Sequence, residues 1–251
     1  MAIDVNGLFG RWPVRTPGIW EPAEYLRVMD RFGIERSLIC STTALLDHTP
    51  TGNDLVAHLI SRYPDRLSGA AVVNPHPDPD GAAAEARRRL DEGFAALRLY
   101  PGPHGYSLSD VEILEPLLAV ADSQGVPVII TLRVSGATPF PETPAAMLRP
   151  LAARCPGVAL IVAGATYSER LLLTRLAATF PNLYLELSQM QGADAVAALC
   201  QTIGSTRLLL GTGMGVQYAS PGVRKVERAP IDAGEREAIG AQNARRLLRL
   251  P

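Results

Sequence analysis

The sequence predicts one α/β domain folded as a (β/α)8 TIM barrel, and three observations support this prediction. Eight short apolar runs alternate with segments of helical length and periodicity along the chain. The apolar runs are nearly continuous, as expected of parallel strands that are covered on both faces. Right-handed β-α-β crossovers repeated through 251 residues close naturally into a barrel.

The predicted strands are, in chain order, IDVNG, IERSLICSTT, LSGAAVVNP, FAALRLYP, VPVIITLRV, VALIVAGAT, NLYLELS and TRLLLGT. Glycine or proline ends most of the intervening helices. Gly33 ends PAEYLRVMDRFG, and Pro64 ends NDLVAHLISRYP. The other helical segments are DGAAAEARRRLDEG, SDVEILEPLLAVADSQG, AAMLRPLAARCPG, SERLLLTRLAATFP, ADAVAALCQTIG and the final DAGEREAIGAQNARRLLRL.

A doubly wound open sheet is the alternative arrangement of these elements. The first predicted strand is not followed by the Gly-x-Gly-x-x-Gly turn typical of dinucleotide-binding sheets, which favours the barrel. No Pro/Ser-rich linker or low-complexity segment divides the chain. We therefore expect a single domain over residues 1–251.

The composition of the chain indicates which binding partners and which cellular compartment to expect. A net charge of −1 gives no electrostatic reason to expect nucleic acid or an anionic membrane, and the apolar runs are of strand length. Cys40, Cys155 and Cys200 are odd in number and lie in apolar or helical stretches, which favours buried free thiols over disulfides. With no charged start leading into an apolar segment, we expect a cytoplasmic protein. The sequence is compatible with a monomer or a homo-oligomer.

Several segments resemble landmarks of the amidohydrolase superfamily: GVPVIIT, FPNLYLELS, RLLLGTG and IGAQNARRLL. They are most similar to the amidohydrolase-related branch that includes aminocarboxymuconate-semialdehyde decarboxylase. The long segment RYPDRLSGAAVVNPHPDPDGAAAEARRRLDEGFAALRLYP is similar to the same branch. The resemblance extends from Ile3 to Leu250 and implies a site at the C-terminal mouth of the barrel.

The resemblance also implies positions for a divalent metal. Family members use a His-x-His pair after the first strand, a histidine on the fifth and an aspartate at the eighth, and a histidine on the sixth often serves the chemistry. In this chain these positions are Asn6 and Leu8, Thr131, Gly213, and Ala163 or Gly164. None offers a good zinc ligand. We therefore expect no metal and no other cofactor.

Strand alternation predicts which side chains face the barrel interior once the resemblance fixes the phase at position 131. The predicted inward-facing residues near the mouth are Asn6, Arg98, Tyr100, Arg133, Glu186 and Ser188. A guanidinium matches a carboxylate or phosphate geometrically, so two arginines favour a small anionic ligand. The alternative is a structural network in which Arg98 and Arg133 pair with Glu186 and other acids.

Glu186 and His104 are the predicted catalytic residues. Glu186 is a candidate general base, and two neighbouring arginines would lower its pKa; its alternative role is that of a counter-ion. His48, His76 and His104 follow the second, third and fourth strands, at the face where barrel enzymes work. His104, in the PGPHGYS loop, is the best candidate acid or base. His76 is expected in a turn that caps the following helix.

Two other residue types complete the predicted site. Trp12 and Trp20 flank the loop after the first strand, and Trp12 is a candidate apolar lid over bound substrate or a packing residue of that loop. Lys225 is the only lysine and follows the eighth strand, which argues against a Schiff-base enzyme with a barrel lysine.

Three functions fit these observations. The first is a metal-independent hydrolase or carbon–carbon lyase acting on a small carboxylate. The resemblance admits it, since related lactonases that cleave pyrone dicarboxylates work without metal and bind carboxylates through arginines. The second is a non-catalytic small-molecule binder or partner subunit. The third is a metal hydrolase with unconventional ligands such as the three loop histidines.

Overall fold

The computed structural model describes residues 2–13, 21–135, 140–192 and 194–250. Trp20 lies outside them. Eight parallel strands pair in sequential order. They are β1 Ala2–Phe9, β2 Ile34–Ser41, β3 Leu67–Val72, β4 Ala96–Leu99, β5 Val128–Thr131, β6 Leu160–Ala163, β7 Leu183–Glu186 and β8 Leu208–Leu209.

Helices follow the strands as the sequence predicts, and most pack their apolar face against the sheet. They are α1 Pro22–Arg31, α2 Thr42–Leu46, α3 Thr49–Arg62, α4 Pro79–Asp91, α5 Pro101–His104, α6 Val111–Gln124, α7 Leu148–Arg154, α8 Arg170–Thr179, α9 Ala195–Ile203, α10 Ala219–Arg228, α11 Ala233–Glu237 and α12 Asn243–Leu248. A π-helical turn, Ala238–Gln242, joins the last two.

Hydrogen bonds between the first strand and the segment after Leu209 close the ring. The Val5 amide donates to Leu210 O at 3.0 Å, and the Gly213 amide donates to Asn6 O at 2.8 Å. Asp4 strengthens this seam, since its carboxylate accepts from the Thr212 hydroxyl at 2.6 Å. The predicted (β/α)8 barrel is therefore confirmed, and its C-terminal mouth is where the active sites of barrel enzymes lie.

Two groups of buried apolar residues form the core. The larger lies between the sheet and the helices, and the smaller fills the barrel interior. The smaller group also includes side chains from the loops on the C-terminal side, among them Trp12, Leu45, Val134 and Val216. Because these side chains continue the interior cluster, the barrel centre is covered by apolar residues rather than open to solvent.

The three cysteines are buried free thiols. In the part of the chain that the structure describes, no helix is both long and apolar enough to cross a membrane.

Candidate functional site

A bulge in β1 places Asn6 inside the barrel. Pairing advances from Asp4 to Gly7 on β1 while β2 advances only from Ser37 to Ile39, so β1 contains one extra residue. Val5 belongs to the interior cluster, and the next side chain, Asn6, also meets interior residues from other strands. The predicted inward orientation of Asn6 is thus observed, for a reason that simple alternation does not supply.

Asn6 joins a cation to a carboxylate in the barrel centre. Its Oδ1 accepts from Arg98 Nη2 at 2.7 Å, and its Nδ2 donates to Glu186 Oε2 at 3.0 Å. Arg98 Nε also donates to Thr131 Oγ1 at 3.2 Å. Together with Ser188 these side chains form a buried polar cluster, which we call the central cluster: Asn6, Arg98, Thr131, Glu186 and Ser188.

Arg98 has one donor atom left over. Among the described residues, none accepts a hydrogen bond from its Nη1, although the guanidinium is almost fully buried. The guanidinium carbon lies 4.9 Å from the centre of the Tyr100 ring, which covers one face of it. The hydroxyl oxygen of Tyr100 lies 3.2 Å from Cys40 Sγ. A buried N–H without an acceptor is unusual, and an oxygen atom of water or of a ligand would satisfy it.

Glu186 differs from the predicted ionised counter-ion. Burial raises its pKa, and the Ser188 backbone N–H and hydroxyl offset part of that rise by hydrogen bonding. The prediction of a lowered pKa is therefore wrong. The physical reason is burial, which is not offset by an arginine: Asn6 lies between Arg98 and Glu186, and Arg133 pairs with Glu142 and Glu169 instead. Gly211 packs so closely on Glu186 that a Cβ there would collide with it.

Arg133 does not join the central cluster. Its guanidinium donates to Glu142 through Nε at 2.7 Å and to Glu169 through Nη1 at 3.0 Å, and Nη1 also meets Gly164 O at 2.9 Å. Among the described residues its ion pairs are thus with Glu142 and Glu169 rather than with Glu186, as in the structural network that is the alternative to an anion site. The loop after β5 and the segment after β6 each supply a carboxylate, and these neutralise the cation where it emerges from the strand.

His104 is separate from the other two loop histidines. Its Nε2 lies 3.2 Å from Leu45 O, its ring centre lies 5.9 Å from that of Tyr100, and burial lowers its pKa. Its Nδ1 is buried and has no hydrogen-bond partner among the described residues. His104 therefore packs against Tyr100, and among the described residues no hydrogen bond joins it to Glu186.

The remaining histidines are surface residues. His48 precedes α3 and lies with Nδ1 2.8 Å from Thr51 Oγ1, where it caps the helix. His76 is exposed in the turn before α4, but the residue that caps α4 is Asp78, which accepts from the Gly81 amide at 2.9 Å. Over the described ranges, no group of three His, Cys, Asp or Glu side chains is arranged to hold a metal ion.

Trp12 is buried at the mouth. Its ring packs edge to face on Phe140 with centres 5.7 Å apart, and it belongs to the interior apolar cluster together with Tyr100. The packing role of Trp12 and its predicted role as a lid are compatible, because the ring covers the C-terminal side of the barrel.

Ser188 connects the central cluster to a polar cleft at the mouth. The cleft has a volume of about 470 Å3 and lies among the loops after β5, β6, β7 and β8. Its lining, here called the mouth cleft, includes Thr166, Ser188, Gln189, Gln217 and Lys225. The sequence gives Lys225 no role in the site because it follows β8. Its position on α10 nevertheless brings its ammonium group to the cleft. Its being the only lysine is the one signal that could have singled it out.

Comparisons with known proteins agree with this architecture. The amidohydrolase family model matches residues 21–250. No curated protein sequence matches the chain. The solved structure of 5-carboxyvanillate decarboxylase LigW from Sphingomonas paucimobilis superposes with a TM-score of 0.79 at 18% identity, covering 100% of this chain and 99% of that one.

Two further structures show the same fold. A 2,6-dihydroxybenzoate decarboxylase in complex with 2,6-dihydroxybenzoate has a TM-score of 0.77 at 19% identity, over 99% of this chain and 98% of that one. A dihydroxybenzoic acid decarboxylase from Polaromonas sp. JS666, with bound manganese and 2-nitroresorcinol, has a TM-score of 0.78 at 17% identity, over 99% and 97% of the two chains. The family model spans most of this chain and the barrel is complete, so the chain belongs to the amidohydrolase family.

Proposed function

We propose that the chain is a lyase that removes a carboxyl group from a small carboxylate without a metal ion. The observation that supports this best is Arg98, a buried guanidinium with an unpaired Nη1, which lies in the same cluster as a carboxyl group of raised pKa. A carboxylate binds to such a donor through a charge-assisted hydrogen bond. The decarboxylases among the solved structures support the reaction class.

The residues at the family's metal positions do not fit a divalent cation. Asn6 Oδ1 and Thr131 Oγ1 both accept hydrogen bonds from Arg98, and a metal ion would bring a second positive charge against that guanidinium. Leu8 offers no donor atom, and Gly213 has no side chain. The Arg98 guanidinium therefore supplies the positive charge between β1 and β5 that a metal ion supplies in the family's metal site.

Glu186 supplies the proton in the proposed reaction. The bond between the carboxyl carbon and its neighbour breaks, carbon dioxide leaves, and the electron pair remains on the carbon atom of the substrate. That carbon takes the proton of neutral Glu186, which becomes a carboxylate. A raised pKa suits this role because it keeps a larger share of the carboxyl group protonated. The Ser188 hydroxyl, 2.9 Å from Glu186 Oε2 and lining the mouth cleft, provides the route for reprotonation from solvent.

The remaining predicted residues take supporting roles in this proposal. Tyr100 stacks on Arg98, Asn6 orients both Arg98 and Glu186, and Trp12 excludes water from the mouth. His104 is the alternative acid, since its Nδ1 is unpaired beside Tyr100. Buried free thiols fit a cytoplasmic protein.

A second candidate function is a non-catalytic binder. The closed hydrogen-bond network around Asn6 favours it, because Glu186 already accepts from Asn6 and Ser188 and its cluster is covered by apolar side chains. Such a network also serves as a structural centre that holds β1, β4, β5 and β7 together.

Metal analysis and turnover test the proposal together. Protein purified without chelator should contain well under one equivalent of zinc, manganese or iron. It should release carbon dioxide from 2,6-dihydroxybenzoate or 5-carboxyvanillate in the presence of EDTA. Stoichiometric metal bound at His48, His76 or His104 would contradict the metal-independent mechanism, and binding of these carboxylates without turnover would favour the non-catalytic binder.

A further inference from the structure

Lys225 is a cation of the mouth cleft, and no carboxylate of the described residues forms an ion pair with it. Its Nζ donates to Leu187 O at 2.6 Å and to Ser188 O at 3.0 Å. An ammonium group has three N–H donors, so one remains for a further acceptor. The described residues that line the mouth cleft include no Asp or Glu. Lys225 therefore presents a positive charge to a cleft that is otherwise lined by neutral groups.

The cleft offers hydrogen-bonding groups around this charge. Thr166, Gln189 and Gln217 line it together with Ser188. Gln189 is held in place because its Nε2 donates to Arg133 O and Val134 O, both at 3.2 Å. A positioned cation with neutral polar neighbours suits a ligand with a negatively charged oxygen atom.

Ser188 links Lys225 to Arg98. The Ser188 carbonyl oxygen accepts from Lys225, while its hydroxyl oxygen accepts from Asn6 Nδ2 at 3.1 Å, and Asn6 in turn accepts from Arg98. Burial lowers the pKa of Lys225. Both cations are thus connected to Glu186 through hydrogen-bonded neighbours, Arg98 through Asn6 and Lys225 through Ser188.

We propose that Lys225 is a second anion-binding residue of the site and that the substrate carries two acidic groups. This inference rests on the proposed function, in which Arg98 binds the carboxylate that reacts. Lys225 holds the other acidic group in the mouth cleft, which orients the substrate toward Glu186 without taking part in bond cleavage. The ligand class is a small dicarboxylate.

Three ligands test whether the site binds two carboxylates: isophthalate has two, benzoate has one and benzamide has none. Isothermal titration of the full chain should show isophthalate binding about tenfold more tightly than benzoate, and benzamide binding least. Lys225→Met should reduce the affinity for isophthalate about tenfold and leave benzoate unchanged. Arg224→Met is the matched control, since Arg224 is the adjacent, exposed cation paired with Glu227 at 2.6 Å, and it should bind both ligands as wild type does.

Selective acetylation of the only lysine provides a second measurement that needs no variant. Isophthalate should slow the acetylation of Lys225 about tenfold relative to the chain's α-amine, and benzamide should not slow it, as measured by peptide mass spectrometry. Unchanged acetylation with isophthalate, or wild-type isophthalate affinity in Lys225→Met, would overturn the inference and leave the proposed function standing. Protection of Lys225 by isophthalate in a protein that turns over no carboxylate would support the anion site and reject the lyase.

Discussion

Two sides of the barrel mouth present a cation in different ways. On the side of β5 and β6, Arg133 lies between Glu142 and Glu169, and its positive charge is neutralised by the protein itself. On the side of β7 and β8, Lys225 is held by two backbone carbonyl oxygens and faces a cleft with no acidic lining residue among those described. Arg133 is therefore a structural cation, whereas Lys225 has capacity for a ligand.

This difference shows what decides the role of a charged residue near a site. Both cations follow the C-terminal ends of strands, where ligands of barrel enzymes bind. Their roles differ because, among the described residues, two acidic side chains pair with Arg133 and none pairs with Lys225. In the centre of the barrel, the Asn6 amide hydrogen-bonds to both Arg98 and Glu186 and separates them. The guanidinium and the carboxyl group therefore do not form an ion pair with each other.

The largest expected effect comes from Glu186→Gln compared with Glu169→Gln. Loss of the proton-transfer group should reduce kcat about 10²–10⁴-fold while benzoate affinity stays within a few fold. Glu169→Gln changes the carboxylate beside Arg133 and should leave kcat near wild type. Steady-state rates of carbon dioxide release measure both.

Thermal unfolding of both variants is the control for folding, because Glu186 is buried and packs on Gly211. Full turnover in a folded Glu186→Gln protein would remove Glu186 from the mechanism. His104, whose ring lies beside Tyr100, would then be the remaining candidate acid.

The next largest effect is expected from Arg98→Met compared with Arg133→Met. Removal of the Arg98 guanidinium should weaken benzoate binding about 10–100-fold, since a hydrogen bond to a charged group contributes roughly 1.5–3 kcal/mol. Arg133→Met should leave benzoate affinity unchanged and lower the melting temperature, because Glu142 and Glu169 lose their partner. Calorimetric titration and thermal melts measure the two effects.

Arg98→Lys keeps the charge and loses the planar fork, so it should fall between wild type and Arg98→Met. Equal weakening of benzoate binding by Arg98→Met and Arg133→Met would show that the two cations do not differ as the contacts indicate.

The sequence was sufficient to predict the barrel and most inward-facing residues, because hydrophobic periodicity specifies buried strands. It was also sufficient to predict that Asn6, Arg98 and Glu186 lie together. It could not predict the environment of Arg133, because Glu142 and Glu169 reach it from loops whose path is set by tertiary packing. The raised pKa of Glu186 was missed for a similar reason, since it depends on burial and on the position of Asn6.

A pH-dependent effect should distinguish Glu186 from the paired carboxylates. Because its pKa is raised on folding, the contribution of neutral Glu186 to stability is fully present below the pKa of the unfolded chain, about 4.5, and is lost as pH rises through the folded value. Glu142 has the opposite shift, since the Arg133 hydrogen bond lowers its pKa. Between pH 4 and pH 8, Glu186→Gln should therefore gain melting temperature relative to wild type.

Asp4 also has a raised pKa because of burial, and its charge is one of the causes that raise the pKa of Glu186, so the comparison reports Glu186 together with its coupling to Asp4. The kcat of the wild type should also fall as pH rises through the raised pKa, since the proposed acid is then ionised. A melting-temperature difference that is constant between pH 4 and pH 8 would contradict a raised pKa for Glu186.

The smallest expected effect is that of Glu142→Gln. The Glu142 side chain is 51% exposed, and Arg133 keeps its contacts with Glu169 and Gly164 O when this pair is lost. Exposed ion pairs contribute about 0.2–1 kcal/mol to the free energy of unfolding, and salt screens them. Denaturant unfolding should therefore show a loss of unfolding free energy within this range, and the loss should shrink at high ionic strength.

Benzoate affinity of Glu142→Gln should not change, because Glu169 still neutralises Arg133. An increase in benzoate affinity would instead show that Arg133, once released from Glu142, binds the carboxylate, and the distinction between the two sides of the mouth would then be one of degree.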